Sequence, residues 1–317
     1  MTTVATARPV SATASRWSMI MIWASWPIGF GLIMAHTIGG VLGRPMFLLA
    51  IVVYVGVLAA ALRACGLGTG PRRDAALLLL AGPMIFVLAG LTRPPTALSP
   101  GLMLLNAAVL ALGAGVLIVA AAGLVLDRGR LDRAGLLGVL GLLIGTTGWL
   151  VNLVSRWAVV LSGASTAQVE VEAEAWMAMV YLRGLPDSPY PMSFLLVWMD
   201  LLQIVYVALA YSGFALITVG VVRRGLVGRR PAIAIIAVAT TLAGLVLTAA
   251  SISAWVGAAG QITAWTAFVL TIPFMSTLVP YLLGSAMLGH SSSANTPLGL
   301  GRTRRASCRA ECSGEHR

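Results

Sequence analysis

Eight long apolar stretches are the feature that most constrains the fold of this chain. Most of them reach or exceed the roughly 20 apolar residues that a helix needs to cross a bilayer, and polar, arginine-containing or turn-forming segments separate them. The third is the weakest, since it is short and contains Gly82 and Pro83. A polytopic, all-α bundle of about eight transmembrane helices is the expected fold class. The stretches cover residues 17–43, 45–64, 75–92, 102–126, 134–160, 194–222, 231–252 and 263–288.

The composition excludes an ordinary water-soluble fold. The 317 residues are 59% hydrophobic and only 10% charged, whereas soluble domains are roughly 45–50% apolar and about 25% charged. Too few charged side chains remain to cover a core of this size, so lipid has to solvate most of the surface. The lipid bilayer is therefore an expected partner of the chain.

The arginines indicate the orientation of the helices. All 21 basic residues are Arg, in short clusters between the apolar stretches. No basic face carries interleaved aromatic residues, so no nucleic-acid partner is expected. With the N-terminus in the cytoplasm, 17 arginines fall in cytoplasmic segments and three in outer loops, as the positive-inside rule requires. Both termini are expected in the cytoplasm, and the all-Arg composition, rich in Ala and Gly, favours a bacterial cytoplasmic (inner) membrane.

The chain divides into three parts. Residues 1–16 form a short polar cytoplasmic N-terminus, and residues 17–288 form the transmembrane domain. Residues 289–317 are rich in Ser, Gly and Arg and predict a disordered, basic cytoplasmic tail. The longest loop, 161–193, faces outside and has an excess of acidic residues. Apolar residues recur in it at helical spacing, which predicts an amphipathic helix on the outer membrane interface.

Polar side chains inside the spans are the candidate functional residues. Asp200 is the only acidic residue within a span, and a charge at the bilayer centre costs about 2.5–3.5 kcal/mol on insertion scales. Arg156, near the outer end of the fifth span, is the nearest cation by depth, so an ion pair between the two is expected. A pair that only locks two helices together is the alternative. Six polar residues of four spans share the outer half of the membrane: His36, Asn106, Asn152, Arg156, Asp200 and Gln203.

A stripe of small and polar residues follows one face of the fifth span. Its members lie three or four residues apart, which is helical spacing. Small residues let helices approach closely in lipid, so the stripe predicts that span five is central and tightly packed in its inner half. The stripe consists of Gly141, Gly145, Gly148, Asn152 and Ser155.

These patterns favour a small-solute or ion permease with a polar cavity open to the outside. Asp200 would be its protonatable coupling or substrate-binding group, and Arg156 would tune it. The alternative is a non-catalytic scaffold or regulatory subunit that contacts a partner through the outer loop or the basic tail. The sequence leans away from an enzyme, because it has no nucleophile elbow, phosphate loop or paired acids at catalytic spacing.

No catalytic residue, cofactor or metal site is predicted. Haem ligation inside the bilayer needs two histidines at one level, and the three histidines lie near the outer face, at the inner end of span eight and in the tail. The tail has two cysteines and a histidine, which are three zinc ligands at uncommon spacing. Free thiols in a disordered tail are the simpler interpretation.

Overall fold

The fold is all-α wherever the structure describes the chain. This computed structural model describes residues 12–37, 42–64, 71–92, 100–126, 132–161, 190–255, 270 and 273–294. Short 3-10 helices cover Gly90–Thr92, directly after the third α-helix, and Pro273–Thr277, directly before the eighth. The eight α-helices of the described ranges are α1 (Ala12–Thr37), α2 (Arg44–Ala64), α3 (Pro71–Ala89), α4 (Pro100–Leu126), α5 (Arg133–Leu161), α6 (Tyr190–Arg223), α7 (Arg229–Trp255) and α8 (Leu278–Ala294).

Six of the described helices are long and apolar enough to cross a membrane, namely α1, α2, α4, α5, α6 and α7. The chain is accordingly a multi-pass integral membrane protein, and the predicted fold class is confirmed at that level. Helix α3 is outside this set because Arg72, Arg73 and Asp74 stand at its start. Helix α8 is outside it because it has only 17 residues.

The eighth apolar stretch does not form one continuous helix over the predicted 263–288. A 3-10 helix begins at Pro273, and α8 begins only at Leu278. Proline has no N–H to donate, so a helix is readily interrupted at such a position. At its other end α8 continues to Ala294, past the predicted start of the tail at 289.

Two other predictions fall largely outside the described residues. The interfacial helix expected in the loop 161–193 belongs almost entirely to residues 162–189, which the structure does not describe. The predicted tail lies outside the described ranges after residue 294.

The helices alternate in direction and form a closed arrangement. Helices α3 to α8 each pack on the next along the chain, and α8 returns to pack on α3. Helix α1 packs on α2, α3 and α8, while α2 lies at the margin and packs mainly on α1. The odd-numbered helices begin at the same end of the bundle, where the even-numbered ones finish. Nine of the eleven arginines in the described ranges belong to that end, which is called the basic end below; the opposite end is the far end.

Helix α6, and not α5, is the central helix of the described bundle. It contacts α4, α5, α7 and α8. Its candidate span is 67% buried, against 39% for that of α5. The prediction that span five is central is therefore wrong. The glycine-containing face of α5 packs against α6, but its other face exposes Leu137, Ile144 and Val154, as suits a helix that borders lipid.

The α5–α6 pair is close because both helices carry glycine where they meet. A Cβ on Gly138 would lie 2.5 Å from the Gly213 carbonyl oxygen, and one on Gly213 would lie 2.8 Å from the Gly138 oxygen. Any side chain at either position would push the backbones apart. Further along the interface, Gly148 lies beside Leu202, so the two helices run antiparallel.

At the basic end, Asp132 begins α5. Its Oδ2 accepts a hydrogen bond from the Gly135 N–H at 3.3 Å, as an N-cap residue does three positions later in a helix. Its Oδ1 lies 3.1 Å from the Arg223 guanidinium at the end of α6. One carboxylate thus starts α5 and ties it to α6.

Arg224, also at the basic end, caps the C-terminus of α4. Its guanidinium donates to the carbonyl oxygens of Leu124 at 2.5 Å and Val125 at 2.7 Å, which belong to the last turn of α4 and have no partner within the helix. Gly225 has a φ of 68°, the left-handed conformation that glycine adopts without strain. The chain turns there and enters α7.

Candidate functional site

Two buried amide side chains, one on α5 and one on α6, lie at one level of the bundle. Asn152 on α5 has no exposed surface, and Gln203 on α6 is 7% exposed. Asn152 follows Trp149 by one helical turn, and Gln203 precedes Tyr206 by one turn. The Trp149 and Tyr206 rings stack with centroids 4.7 Å apart and planes 9° apart. Because the helices are antiparallel, both amides lie on the far-end side of this stack, at one level of the bundle.

Tyr206 connects this level to the 3-10 helix that precedes α8. Its hydroxyl lies 3.0 Å from the Ser276 hydroxyl, and both residues are buried. One and a half turns further along α6, the Tyr211 hydroxyl donates to the Leu270 carbonyl oxygen at 3.4 Å. The central helix is therefore held to the segment before α8 by two tyrosines.

The predicted charged pair continues the same two helices toward the far end. Asp200 precedes Gln203 by three residues on α6, and Arg156 follows Asn152 by four on α5. The backbone of both positions is described, but their side chains are not. The antiparallel register brings both positions to the far-end side of the amide level. The ion pair itself stays a prediction.

His36 holds the connection between α1 and α2. Its Nδ1 lies 2.7 Å from the Leu42 carbonyl oxygen, and a carbonyl can only accept, so Nδ1 carries the proton. The His36 ring stacks on Phe47 with centroids 4.1 Å apart, and the Phe47 ring lies against Gly90. The imidazole is 3% exposed, and these contacts give it a role in joining α1, α2 and the end of α3.

Asn106 on α4 forms a hydrogen bond with the last turn of α3. Its Nδ2 donates to the Ala89 carbonyl oxygen at 2.7 Å, where the α-helix gives way to a 3-10 turn. Carbonyls in the last turn of a helix need partners outside that helix. Of the six predicted site residues, Asn106 and His36 thus surround the far end of α3, while Asn152 and Gln203 lie between α5 and α6.

Aromatic rings join α3 to the α5–α6 pair. Phe86 on α3 stacks on Trp149 with centroids 5.9 Å apart and planes 10° apart. Together with the Trp149–Tyr206 stack, it forms a row of three rings from α3 through α5 to α6. The row lies on the basic-end side of the two amides, because Trp149 precedes Asn152 on α5 and Tyr206 follows Gln203 on α6.

A second set of polar contacts, between α1 and α8, was missed by the sequence analysis. The Trp26 indole N–H donates to the Thr277 hydroxyl at 3.1 Å. Toward the basic end, the Tyr281 hydroxyl donates to the Ile22 carbonyl oxygen and contacts the Ser25 hydroxyl. These side chains are buried. They fix α8 against α1 through groups that a sequence scan counts as ordinary hydroxyls.

The sequence did contain a signal for this set. Thr277, Tyr281 and Ser285 recur every four residues, which places their hydroxyls on one helix face. Serine and threonine hydroxyls can also bond to carbonyls of their own helix. Ser25 and Thr277 do so, to Ile22 at 2.8 Å and Phe274 at 2.6 Å, yet both also reach the neighbouring helix.

Comparison with known proteins supplies no family for this chain. No protein-family model, curated protein or solved structure matches it. The function therefore has to be argued from the residues themselves.

Proposed function

We propose that this chain is a permease of a bacterial cytoplasmic membrane that moves a small solute or ion through a polar cavity open to the outside. Eight spans with both termini in the cytoplasm are part of this proposal. The clustering of arginines supports the orientation, because nine of the eleven in the described ranges belong to one end of the bundle and basic residues concentrate on the cytoplasmic side.

The observation that carries the proposal is the pair of buried amides on α5 and α6. Asn152 is completely buried, and Gln203 nearly so, in helices whose outer surfaces expose leucine and valine. Polar groups withdrawn from water are costly unless they are hydrogen-bonded, and inside a membrane bundle they commonly mark a substrate or ion pathway. Plain helix packing accounts fully for the glycines of the interface but less well for the two buried amides.

Asp200 and Arg156 extend this polar level toward the outside in the proposal. Asp200 is the protonatable group that binds or couples the cargo, and Arg156 sets its charge state. The support comes from the sequence, in which Asp200 is the only acid in a predicted span, and from the helix positions, which bring both residues to the far-end side of the amides. The proposal also includes a transmembrane domain over residues 17–288, which is the range of the eight predicted spans.

Proton uptake by reconstituted protein tests the proposal. Purified chain in liposomes containing a trapped pH dye is energised with a potassium diffusion potential, and the rate of acidification is measured. The wild type should exceed protein-free liposomes, and Asp200→Asn should reduce the excess at least tenfold, because an amide cannot take up and release a proton. Asp74→Asn is the matched control, since that carboxylate is exposed in the first turn of α3.

Two results would contradict the proposal. One is wild-type uptake no faster than in protein-free liposomes, which would contradict Asp200 as a group that takes up and releases protons during transport. The other is an Asp200→Asn rate equal to that of Asp74→Asn with both proteins inserted to the same extent.

A further inference from the structure

The row of three aromatic rings lies next to the amide level, on its basic-end side. We propose that Phe86, Trp149 and Tyr206 form the barrier that closes the outward cavity from the cytoplasm, so that the structure is the state of the permease that is closed on its inner side. The inference rests on the proposed function and names the part of that site that has to open before a cargo can pass. These three side chains are called the ring barrier.

The ring barrier is continuous from α3 to α6. Phe86 stacks on Trp149 with centroids 5.9 Å apart, and Trp149 stacks on Tyr206 with centroids 4.7 Å apart. The planes of each pair differ by 10° or less, and all three side chains are buried. Each step of the row is therefore a ring-to-ring stack, which is a favourable arrangement of aromatic side chains.

Both ends of the ring barrier are held by neighbouring elements. A Cβ on Gly113 of α4 would lie 2.7 Å from Cε2 of Phe86, so the first ring lies directly against the α4 backbone. At the other end, the Tyr206 hydroxyl is 3.0 Å from the Ser276 hydroxyl, in the 3-10 helix that precedes α8. The row thus reaches from α4, through α3, α5 and α6, to the segment before α8.

The α5–α6 interface is also closed directly behind the rings. Gly145 lies one turn before Trp149 on α5, toward the basic end. A Cβ at this glycine would lie 3.1 Å from the Leu209 Cβ and 3.3 Å from the Tyr206 carbonyl oxygen. The two helices are therefore in contact on the basic-end side of the rings, and a cargo at the amide level meets packed side chains and then packed backbone.

An apolar layer of this kind is suited to act as a gate. Hydrophobic constrictions block ions and water because neither is solvated inside them. A cargo that reaches Asn152 and Gln203 from the outside therefore stops at that level until the rings separate. The amides bind on one side of the layer, and the rings prevent a leak to the other side.

Phe86 is the ring that is best placed to leave the row. It follows Pro83 by three residues within α3. Proline has no N–H, so the Leu79 carbonyl lacks its usual partner one turn later in the helix, and sharp helix kinks concentrate at such positions. A bend of α3 at Pro83 would move Phe86 away from Trp149 while α5 and α6 stay together. The route would then open between α3 and α5.

Cysteine labelling on the two sides of the ring barrier tests it. Gln203 and Ala210 lie on α6, three residues before and four residues after Tyr206, and both are buried. Gln203→Cys or Ala210→Cys is introduced into a chain whose three natural cysteines are serine, and intact cells are treated with a membrane-impermeant methanethiosulfonate. Gln203→Cys should react at least tenfold faster than Ala210→Cys, because the rings shield only the second position.

Removal of a ring should expose the shielded position. Trp149→Ala and Phe86→Ala should each raise the rate at which Ala210→Cys reacts from outside at least tenfold, and the use of two variants keeps the test valid if one of them does not fold. Trp26→Ala is the matched control. It removes a buried, stacked tryptophan from α1, outside the ring barrier, and should leave Ala210→Cys shielded.

A separate cysteine distinguishes an open gate from a damaged fold. Ala239 on α7 has no exposed surface, so Ala239→Cys should stay unreactive in the wild-type background and in each alanine variant that folds. A variant in which Ala239→Cys reacts is unfolded, and the other ring variant then decides the outcome.

Three results would overturn the ring barrier. Ala210→Cys could react as fast as Gln203→Cys in the otherwise unchanged chain, it could stay shielded in both Trp149→Ala and Phe86→Ala, or Trp26→Ala could expose it equally. In each case the proposed function stands, provided that Gln203→Cys reacts from outside. If Gln203→Cys does not react, the outward cavity is absent and the proposed function itself fails.

Discussion

At the scale of single residues, many polar side chains of this bundle complete the ends of helices. Arg224 donates to the last carbonyls of α4, and Asn106 does the same for α3. His36 holds a carbonyl of the α1–α2 connection. The groups at helix ends that have no partner within the helix are thus met by side chains from neighbouring helices, which fixes where each helix stops relative to the next.

Asp132 allows the capping bond and the ion pair to be separated. Asp132→Asn keeps an acceptor for the Gly135 N–H, whereas Asp132→Ala removes it. Loss of an N-cap costs about 1 kcal/mol. The ion pair contributes little, because the Arg223 side chain is 64% exposed and exposed pairs are worth about 0–1 kcal/mol. We expect the alanine variant to melt clearly lower than the asparagine variant in detergent, followed by tryptophan fluorescence.

Equal melting of the two Asp132 variants, both well below the wild type, would contradict this assignment. The ion pair with Arg223 would then be the larger contribution.

At the scale of helices, close packing depends on a few glycines. The α5–α6 interface needs Gly138 and Gly213 at its closest point, but Gly141, one turn along, has its nearest neighbour at 3.9 Å, the Leu209 carbonyl oxygen. The three glycines of the predicted stripe face α6, whereas Ser155 donates to the Val151 carbonyl oxygen of its own helix. Only the structure distinguishes the members that touch α6 closely from those that do not.

A pair of alanine substitutions tests this distinction. Gly138→Ala should destabilise the protein by roughly 1–3 kcal/mol, the usual cost of overpacking. Gly141→Ala should be neutral or should stabilise it by up to about 1 kcal/mol, because alanine favours the helix and the added methyl group meets no close atom. Thermal unfolding in detergent measures both. A Gly138→Ala protein as stable as Gly141→Ala would show that the helices can separate at little cost.

The sequence could not predict which helix is central. In water, a helix at the margin has a polar face, but in lipid its outer face is as apolar as its inner one. Helices α5 and α6 therefore look alike in hydropathy, although α6 is buried and α5 borders lipid. The same limit applies to the α1–α8 contacts. Ser25 and Tyr281 are far apart in the chain, and no local spacing relates them.

At the scale of the whole molecule, the fold class could be predicted because a chain that lipid solvates has a recognisable composition. The scarcity of charge and the length of the apolar stretches predicted the all-α, multi-pass class, which the described helices confirm. The candidate site was predicted as a set of residues at one depth. In the structure, the four residues whose side chains are described fall into two separate groups. Asn152 and Gln203 share a level, while His36 and Asn106 serve helix ends. The depth of a residue in the membrane follows from its position along the span. Which residues of other helices lie beside it cannot be read from the sequence.

The number of crossings is the whole-molecule prediction that most needs a test, because α3 has charges in its first turn and is not among the six clear spans. Cysteine labelling in intact cells provides it. Gly43 and Gly228 lie at the far and basic ends, and a Cβ at either one meets nothing closer than 3.6 Å. Each would be changed to cysteine in a chain whose three natural cysteines are serine.

With eight crossings and a cytoplasmic N-terminus, a membrane-impermeant maleimide should label Gly43→Cys in intact cells and Gly228→Cys only after permeabilisation. If α3 did not cross, every later helix would reverse its direction. Gly228→Cys would then be labelled from outside together with Gly43→Cys, and the outward cavity beside Asn152 and Gln203 would open to the cytoplasm instead. The labelling pattern therefore tests whether α3 crosses the membrane, and it also tests to which side of the membrane the proposed site opens.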